Sequence, residues 1–118
     1  MKQSTITIES KGVDIRALAG SLYQTTNIKS TKSAVNSNLN GGVLKAGLAI
    51  KKDGTVSTDG ANAYGILFAD VDFNNSTGTE ILPVCIFGFL SKAKIQANTG
   101  AEVHATTITN LPLIKFMD

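Results

Sequence analysis

The stretch Glu80-Ile81-Leu82-Pro83-Val84-Cys85-Ile86-Phe87-Gly88-Phe89-Leu90 is the most apolar run in the chain. It carries one charge, and its β-branched and aromatic side chains fit a pleated surface. A short, continuous apolar run of this kind reads as a buried strand, covered on both faces and central in its sheet. Pro83 lacks an amide hydrogen, so an edge or a bulge is expected near the start of that strand. The run is too short for a membrane-spanning helix, which needs about 20 apolar residues.

Working outward, the neighbouring segments read as further short strands separated by turns. Ala63-Tyr64-Gly65-Ile66-Leu67-Phe68-Ala69-Asp70-Val71 is a second buried strand, followed by a polar loop at 74–78. Residues 43–50 and 55–58 are strands joined through Lys52-Asp53-Gly54, and Asp59-Gly60 closes the second of them. Both Asp-Gly pairs suggest hairpin turns of type I′, in which glycine tolerates positive φ. Residues 92–95 alternate, Asn98-Thr99-Gly100 turns the chain, and 101–104, 106–109 and 113–116 are expected as final short strands. Turn signals every 8–12 residues point to a small barrel or sandwich.

The first third differs. Thr5-Ile6-Thr7-Ile8 alternates apolar and polar and is a strand signal. Residues 13–23 space their apolar members as one or two turns of helix would. Residues 24–40 are polar, with only Ile28, Ala34, Val35 and Leu39 apolar, and are expected to form a loop or linker. Gly41-Gly42 marks the boundary. The expected organisation is an N-terminal arm and polar linker over residues 1–40, then a compact β-rich body over 41–118. The expected fold class is mainly β, a small barrel or sandwich with an extended arm and at most one or two short helices.

Composition agrees. The 118 residues include 9 Ser, 13 Thr, 9 Asn and 11 Gly, poor material for long helices. A chain of this length buries roughly two thirds of its unfolded surface, enough for one modest core without staples. Met1-Lys2-Gln3-Ser4-Thr5 does not open a secretory leader, so synthesis in the cytoplasm is expected. The net charge of +2 is uneven: residues 1–52 carry a net of +6 and residues 53–118 a net of −4. The lysines are scattered, without interleaved aromatics, which argues against a nucleic-acid groove.

A single cysteine, Cys85, excludes an intrachain disulfide, and a single histidine, His104, excludes a two-histidine metal site within one chain. Cys85, inside its apolar run, reads as a core residue rather than a nucleophile. His104 reads as a surface or interface histidine. Asp70, Asp72 and Asn74 begin like a calcium loop, but Asn75 and Ile81 stand where glycine and glutamate are needed. No catalytic constellation assembles, and no cofactor is expected. The informative element is the candidate binding arm Thr5, Ile6, Thr7 and Ile8. It either pairs within its own domain or adds to a sheet edge on another chain.

Gly42-Val43-Leu44-Lys45-Ala46-Gly47, then Lys52-Asp53-Gly54, then Ala63-Tyr64-Gly65-Ile66-Leu67 with Asp70-Val71-Asp72, then the run Ile81 to Leu90, form an ordered series. Over residues 41–96 this series resembles the head decoration proteins of tailed bacteriophages, the lambda-like decoration proteins and related head-fibre bases. The resemblance implies a β-rich fold, homotrimers on the capsid surface, binding to the major capsid protein, and stabilisation of the expanded head. It also implies an N-terminal arm that orders against the capsid, with no membrane and no nucleic acid as partner. A capsid-anchored head-fibre base or a glycan-binding β-module is the competing reading. The absence of Trp and the presence of only 2 Tyr leave little for a sugar-stacking platform.

Overall fold

The computed structural model describes residues 13–18 and 22–118. The candidate arm Thr5–Ile8 lies outside the described residues. The fold is mainly β, a small sandwich-like body around one long strand.

That strand, β7, spans Thr79–Ser91 and contains the apolar run. On one edge it pairs antiparallel with β1 (Gln24–Thr31), from Gln24 opposite Phe87 to Thr31 opposite Thr79. On the other it pairs with β5 (Ala63–Leu67), Ile66 opposite Cys85 and Leu67 opposite Val84. β5 then pairs with β3 (Ala49–Lys51), and β3 with β4 (Val56–Ser57), giving the order β1-β7-β5-β3-β4. Beyond β5, the final strand β8 (Ile114–Met117) joins β7 in parallel, Gly88 opposite Ile114. A separate pair is formed by β2 (Val43–Leu44) and β6 (Val71–Asp72). The strand order is open, and no barrel closes among the described residues.

Pro83 sits inside the β1 ladder opposite Asn27, not at an edge. The nitrogen and carbonyl of one strand residue point to the same side. The Pro83 carbonyl accepts from Phe68 N at 2.8 Å, just past the end of β5. Its missing N–H therefore costs no ladder bond to β1.

The polar stretch 24–40 is not a linker. Its first eight residues are β1, with Ile28 and Ser30 facing inward. Ser30 is buried because its hydroxyl donates to the Gly54 carbonyl at 2.6 Å, so a polar side chain occupies a core position without an unmet bond. Helix α1 (Lys32–Val35) follows, capped by the Thr31 hydroxyl, which accepts from Ala34 N at 3.3 Å. It buries Val35 completely. The strand belongs to the sheet of the body, so the body does not begin at Gly41.

Residues 13–18 are not helical either. Arg16 forms a bridge to Leu90, Ser91 N donates to Ile15 O at 2.8 Å and Ala17 N to Phe89 O at 2.9 Å. The spacing of Val13 and Ile15 is thus strand alternation beside β7. Two expected strands are helices instead. Helix α2 (Lys92–Thr99) starts on the Ser91 hydroxyl, which accepts from Lys94 N at 3.1 Å, and buries Ile95. Helix α3 (Ala105–Asn110) buries Thr107 despite its β-branched sequence, and Asn110 Nδ2 donates to Gly60 O at 2.9 Å. Tertiary anchoring overrides local preference there. The described chain so has three short α-helices rather than one or two.

The turn at Lys52-Asp53-Gly54 forms where expected but in another geometry; at Asp59-Gly60 no hairpin closes, because β4 pairs with β3 and the hydrogen-bonded turn runs from Gly60 to Ala63. Among the described non-glycine residues only Asn62 and Asp118 have positive φ, so Asp53 does not take the type I′ conformation. Gly54 N donates to Lys51 O at 3.0 Å, which places glycine fourth in the turn at φ 90°. The Asp53 carboxylate accepts from Thr55 N at 3.0 Å and from the Thr55 hydroxyl at 2.6 Å.

Two apolar clusters lie on either side of the sheet strands. One gathers Ile15, Ala49, Ile66, Cys85, Leu90 and Ile95; the other Ile28, Leu44, Ile50, Leu67, Phe73 and Leu82. Leu67 is fully buried. Leu67→Ala is expected to lower unfolding free energy by about 2–5 kcal/mol in urea titration. Leu67→Asp, which buries an unpaired charge, is expected to abolish the cooperative transition.

A second expectation concerns acid. The Thr55 hydroxyl holds the Asp53 carboxyl below the usual range, Arg16 does so for Asp14, and the Ala61 amide for Asp59. Each group binds its proton less readily when folded, so its stabilisation is complete at neutral pH and lost as pH falls below about 4. Asp53→Asn is expected to lower the melting temperature slightly at pH 7, where the carboxylate's contribution is complete, and to leave it nearly unchanged near pH 2, so that the acid limb of the profile flattens.

Candidate functional site

A strand residue exposed on a sheet face is ordinary; several large apolar ones converging are not. Tyr64 on β5 and Phe87 on β7 are each 40% exposed, and Leu113, in the turn before β8, is 67% exposed. With Ile86, Asn110, Leu111 and Pro112 they line one cleft of about 290 Å³.

Its walls are fixed by the fold. Ile114 N donates to Leu111 O at 3.1 Å, a tight turn that projects Pro112 and Leu113. Gly88 N donates to Leu113 O at 3.3 Å and ties that turn to β7. Asn110 holds the other rim to Gly60. Leu22, 64% exposed, lies beyond Gly88 on the β1 side, where its carbonyl would be 3.4 Å from a β-carbon at Gly88. Lys52 Nζ is 5.9 Å from the Tyr64 ring centroid, and among the described residues no charged side chain lines the cleft itself, whose only ionisable group is the Tyr64 phenol. Such a surface can dehydrate and pack apolar side chains; it holds no positioned acid–base pair.

The residues singled out in the sequence fall elsewhere and are not brought together. Asp70 Oδ1 accepts from Ala46 N at 2.8 Å and from Asn98 Nδ2 at 3.0 Å, with Lys45 Nζ 3.7 Å from Oδ2. It therefore staples the β2–β3 connection to α2. Asp72 is exposed and accepts from Asn74 N at 2.8 Å. Among the described residues no three His, Cys, Asp or Glu side chains cluster as metal ligands. His104 is exposed at the start of α3, without a side-chain capping bond. Cys85 is fully buried, its thiol 3.3 Å from the Phe87 carbonyl. Burial pushes its pKa up, as befits a core thiol. No helix among the described residues is long and apolar enough to cross a membrane.

The sequence alone does not reveal the cleft. Phe87 lies in the run read as core, and Leu113 opens a segment read as a strand. The one local signal was Pro112, which stops α3 and turns the chain outward.

Comparison of the chain with protein-family models, curated proteins and solved structures finds no match.

The buried thiol gives a direct check of the core. Cys85 is expected to resist a maleimide in the native protein at pH 7.5 and to react fully in urea. Rapid native labelling would show that β7 is not packed as described.

Proposed function

We propose that this chain is a structural decoration protein of a tailed-phage head, binding the mature lattice as a homotrimer and stabilising it. The observation that supports this most is the uncharged cleft of Tyr64, Phe87 and Leu113. It suits the packing of another protein surface and lacks the groups that chemistry on a small substrate requires. The order of the glycine-punctuated strands over residues 41–96, which resembles that of decoration proteins, adds to the reading.

In this proposal the cleft is covered by a neighbouring subunit of the trimer. The segment Thr5-Ile6-Thr7-Ile8 adds as a strand to the major capsid protein, main-chain bonds giving affinity and alternate side chains register. The net of +6 over residues 1–52 favours an acidic capsid surface and makes association salt-sensitive. Binding only the expanded lattice stabilises it by mass action, and many repeated contacts accumulate over one head. No catalysis, cofactor, membrane or nucleic acid enters, and the working location is the outside of the virion.

The test is co-sedimentation with expanded heads that lack the protein, at low and high salt. Saturation at a fixed copy number, with heads made more heat-resistant, is the expected outcome. Deleting residues 1–12 is expected to leave the melting transition intact and to abolish head binding. No binding at either salt would transfer the reading to a glycan-binding module.

The trimer is tested separately by sedimentation equilibrium. Phe87→Glu is expected to keep the wild-type melting temperature within a few degrees and to yield monomer. A variant that remains trimeric would remove the cleft from the subunit contact.

A further inference from the structure

Of the 9 asparagines in the chain, only Asn40 precedes a glycine. The side-chain amide of asparagine is open to attack by the backbone nitrogen of the next residue. Glycine hinders that attack least, because it carries no β-carbon. Asn40 and Gly41 are both exposed, and a β-carbon built on Gly41 would meet nothing within 4 Å.

The pair enters a tight turn, Asn40-Gly41-Gly42-Val43. Val43 N donates to Asn40 O at 3.1 Å and Asn40 N to Val43 O at 2.9 Å. Gly41 and Gly42 stand at φ 62° and 83°, the backbone of a type I′ turn. The far side of the turn is clamped. Phe73 N donates to Gly42 O at 2.9 Å, Asn74 Nδ2 donates to Gly41 O at 3.1 Å, and the Asn74 side chain fills the place of a Gly42 β-carbon. The near side is not clamped: the Gly41 N–H and the Asn40 side chain have no hydrogen-bond partner among the described residues.

We propose that Asn40 is a site of spontaneous deamidation, a covalent modification that ages the turn leading into β2. The Gly41 nitrogen gives up its proton to hydroxide and bonds to Asn40 Cγ, and the side-chain nitrogen leaves as ammonia. Water then opens the resulting succinimide at one carbonyl or the other, leaving aspartate or isoaspartate at position 40. Ring closure needs Asn40 to turn away from Val43, a local opening that breaks the two Asn40–Val43 bonds at an exposed turn. Either product adds a negative charge to residues 1–52, whose net charge is +6. Isoaspartate also routes the main chain through the side-chain carbon and lengthens it by one atom. A two-residue turn held by Asn74 and Phe73 has no slack for that atom, so the displacement passes into β2, where Leu44 is fully buried. The modification is separate from the apolar cleft and does not depend on the capsid reading.

The experiment is incubation of the full-length folded chain at pH 7 and pH 9, followed by peptide mass spectrometry with chromatographic separation of isoaspartate. Asn40 is expected to convert about tenfold faster than any other asparagine, and faster at pH 9, where more of the attacking amide is deprotonated. Gly41→Ala places a β-carbon beside the attacking nitrogen and is expected to slow conversion about tenfold, although its positive φ lowers the melting temperature. Asn40→Gln, which closes its ring far more slowly, is expected to keep its melting temperature through an incubation that lowers that of the wild type. Conversion at Asn40 no faster than at the other asparagines would overturn the proposal. Equal drift of the wild type and Asn40→Gln would overturn it too, because the ageing would then lie outside this turn.

Discussion

A buried strand must find partners for its amides and carbonyls along both edges, because no water reaches them. β7 is thirteen residues long and apolar, so this requirement falls on it most heavily. No single neighbour is long enough. One edge is covered by β1 up to Phe87 and then by residues 15–17. The other is covered by β5 near Val84 and Cys85, and by β8 from Gly88 onward. Segments from both ends of the described chain thus converge on one strand, and the rest of the architecture follows from that convergence.

Glycine marks the change of partner along it. Gly88 is the residue at which β7 passes from the β1–β5 flanks to the 15–17 and β8 flanks. A β-carbon there would lie 3.0 Å from Tyr23 Cβ, so the chain crosses at close range only because none is present. The turn that delivers β8 to this point is the one that projects Pro112 and Leu113. The apolar cleft is thus a by-product of how β7 is capped: the connection from α3 has to cross over β5 to reach it, and Tyr64, Phe87 and Leu113 are left on its outer rim.

Much of the body could be read from the sequence, for a definite reason. The apolar runs of β5 and β7 are continuous enough to read as buried strands, and Asp-Gly pairs stop the chain where the Asp53 and Asp59 carboxylates cap nearby amides. Misreadings arose where a polar residue takes a buried place. Ser30 is hydrophilic by composition, yet its hydroxyl is satisfied by one carbonyl, so 24–31 is a strand that looks like a loop. Thr106, Thr107 and Thr109 favour strand locally, yet Asn110 and the packing of Thr107 hold them in a helix. Residues 13–18 carry a spacing that reads as helix, and the pairing of Arg16 with Leu90 makes it strand alternation instead. The cleft was hidden for a different reason: an exposed Phe and a core Phe are the same letter, and only the turn at Pro112 separates them.

What the walls of the apolar cleft leave unmet decides what it can hold. In the cleft the unmet quantity is apolar area: three large side chains remain wetted with no polar group demanding a specific partner. Any dry, complementary surface can relieve that, which is why the cleft supports a protein contact and little chemical discrimination. Adhesion to protein is therefore to be sought beside Phe87 and Leu113.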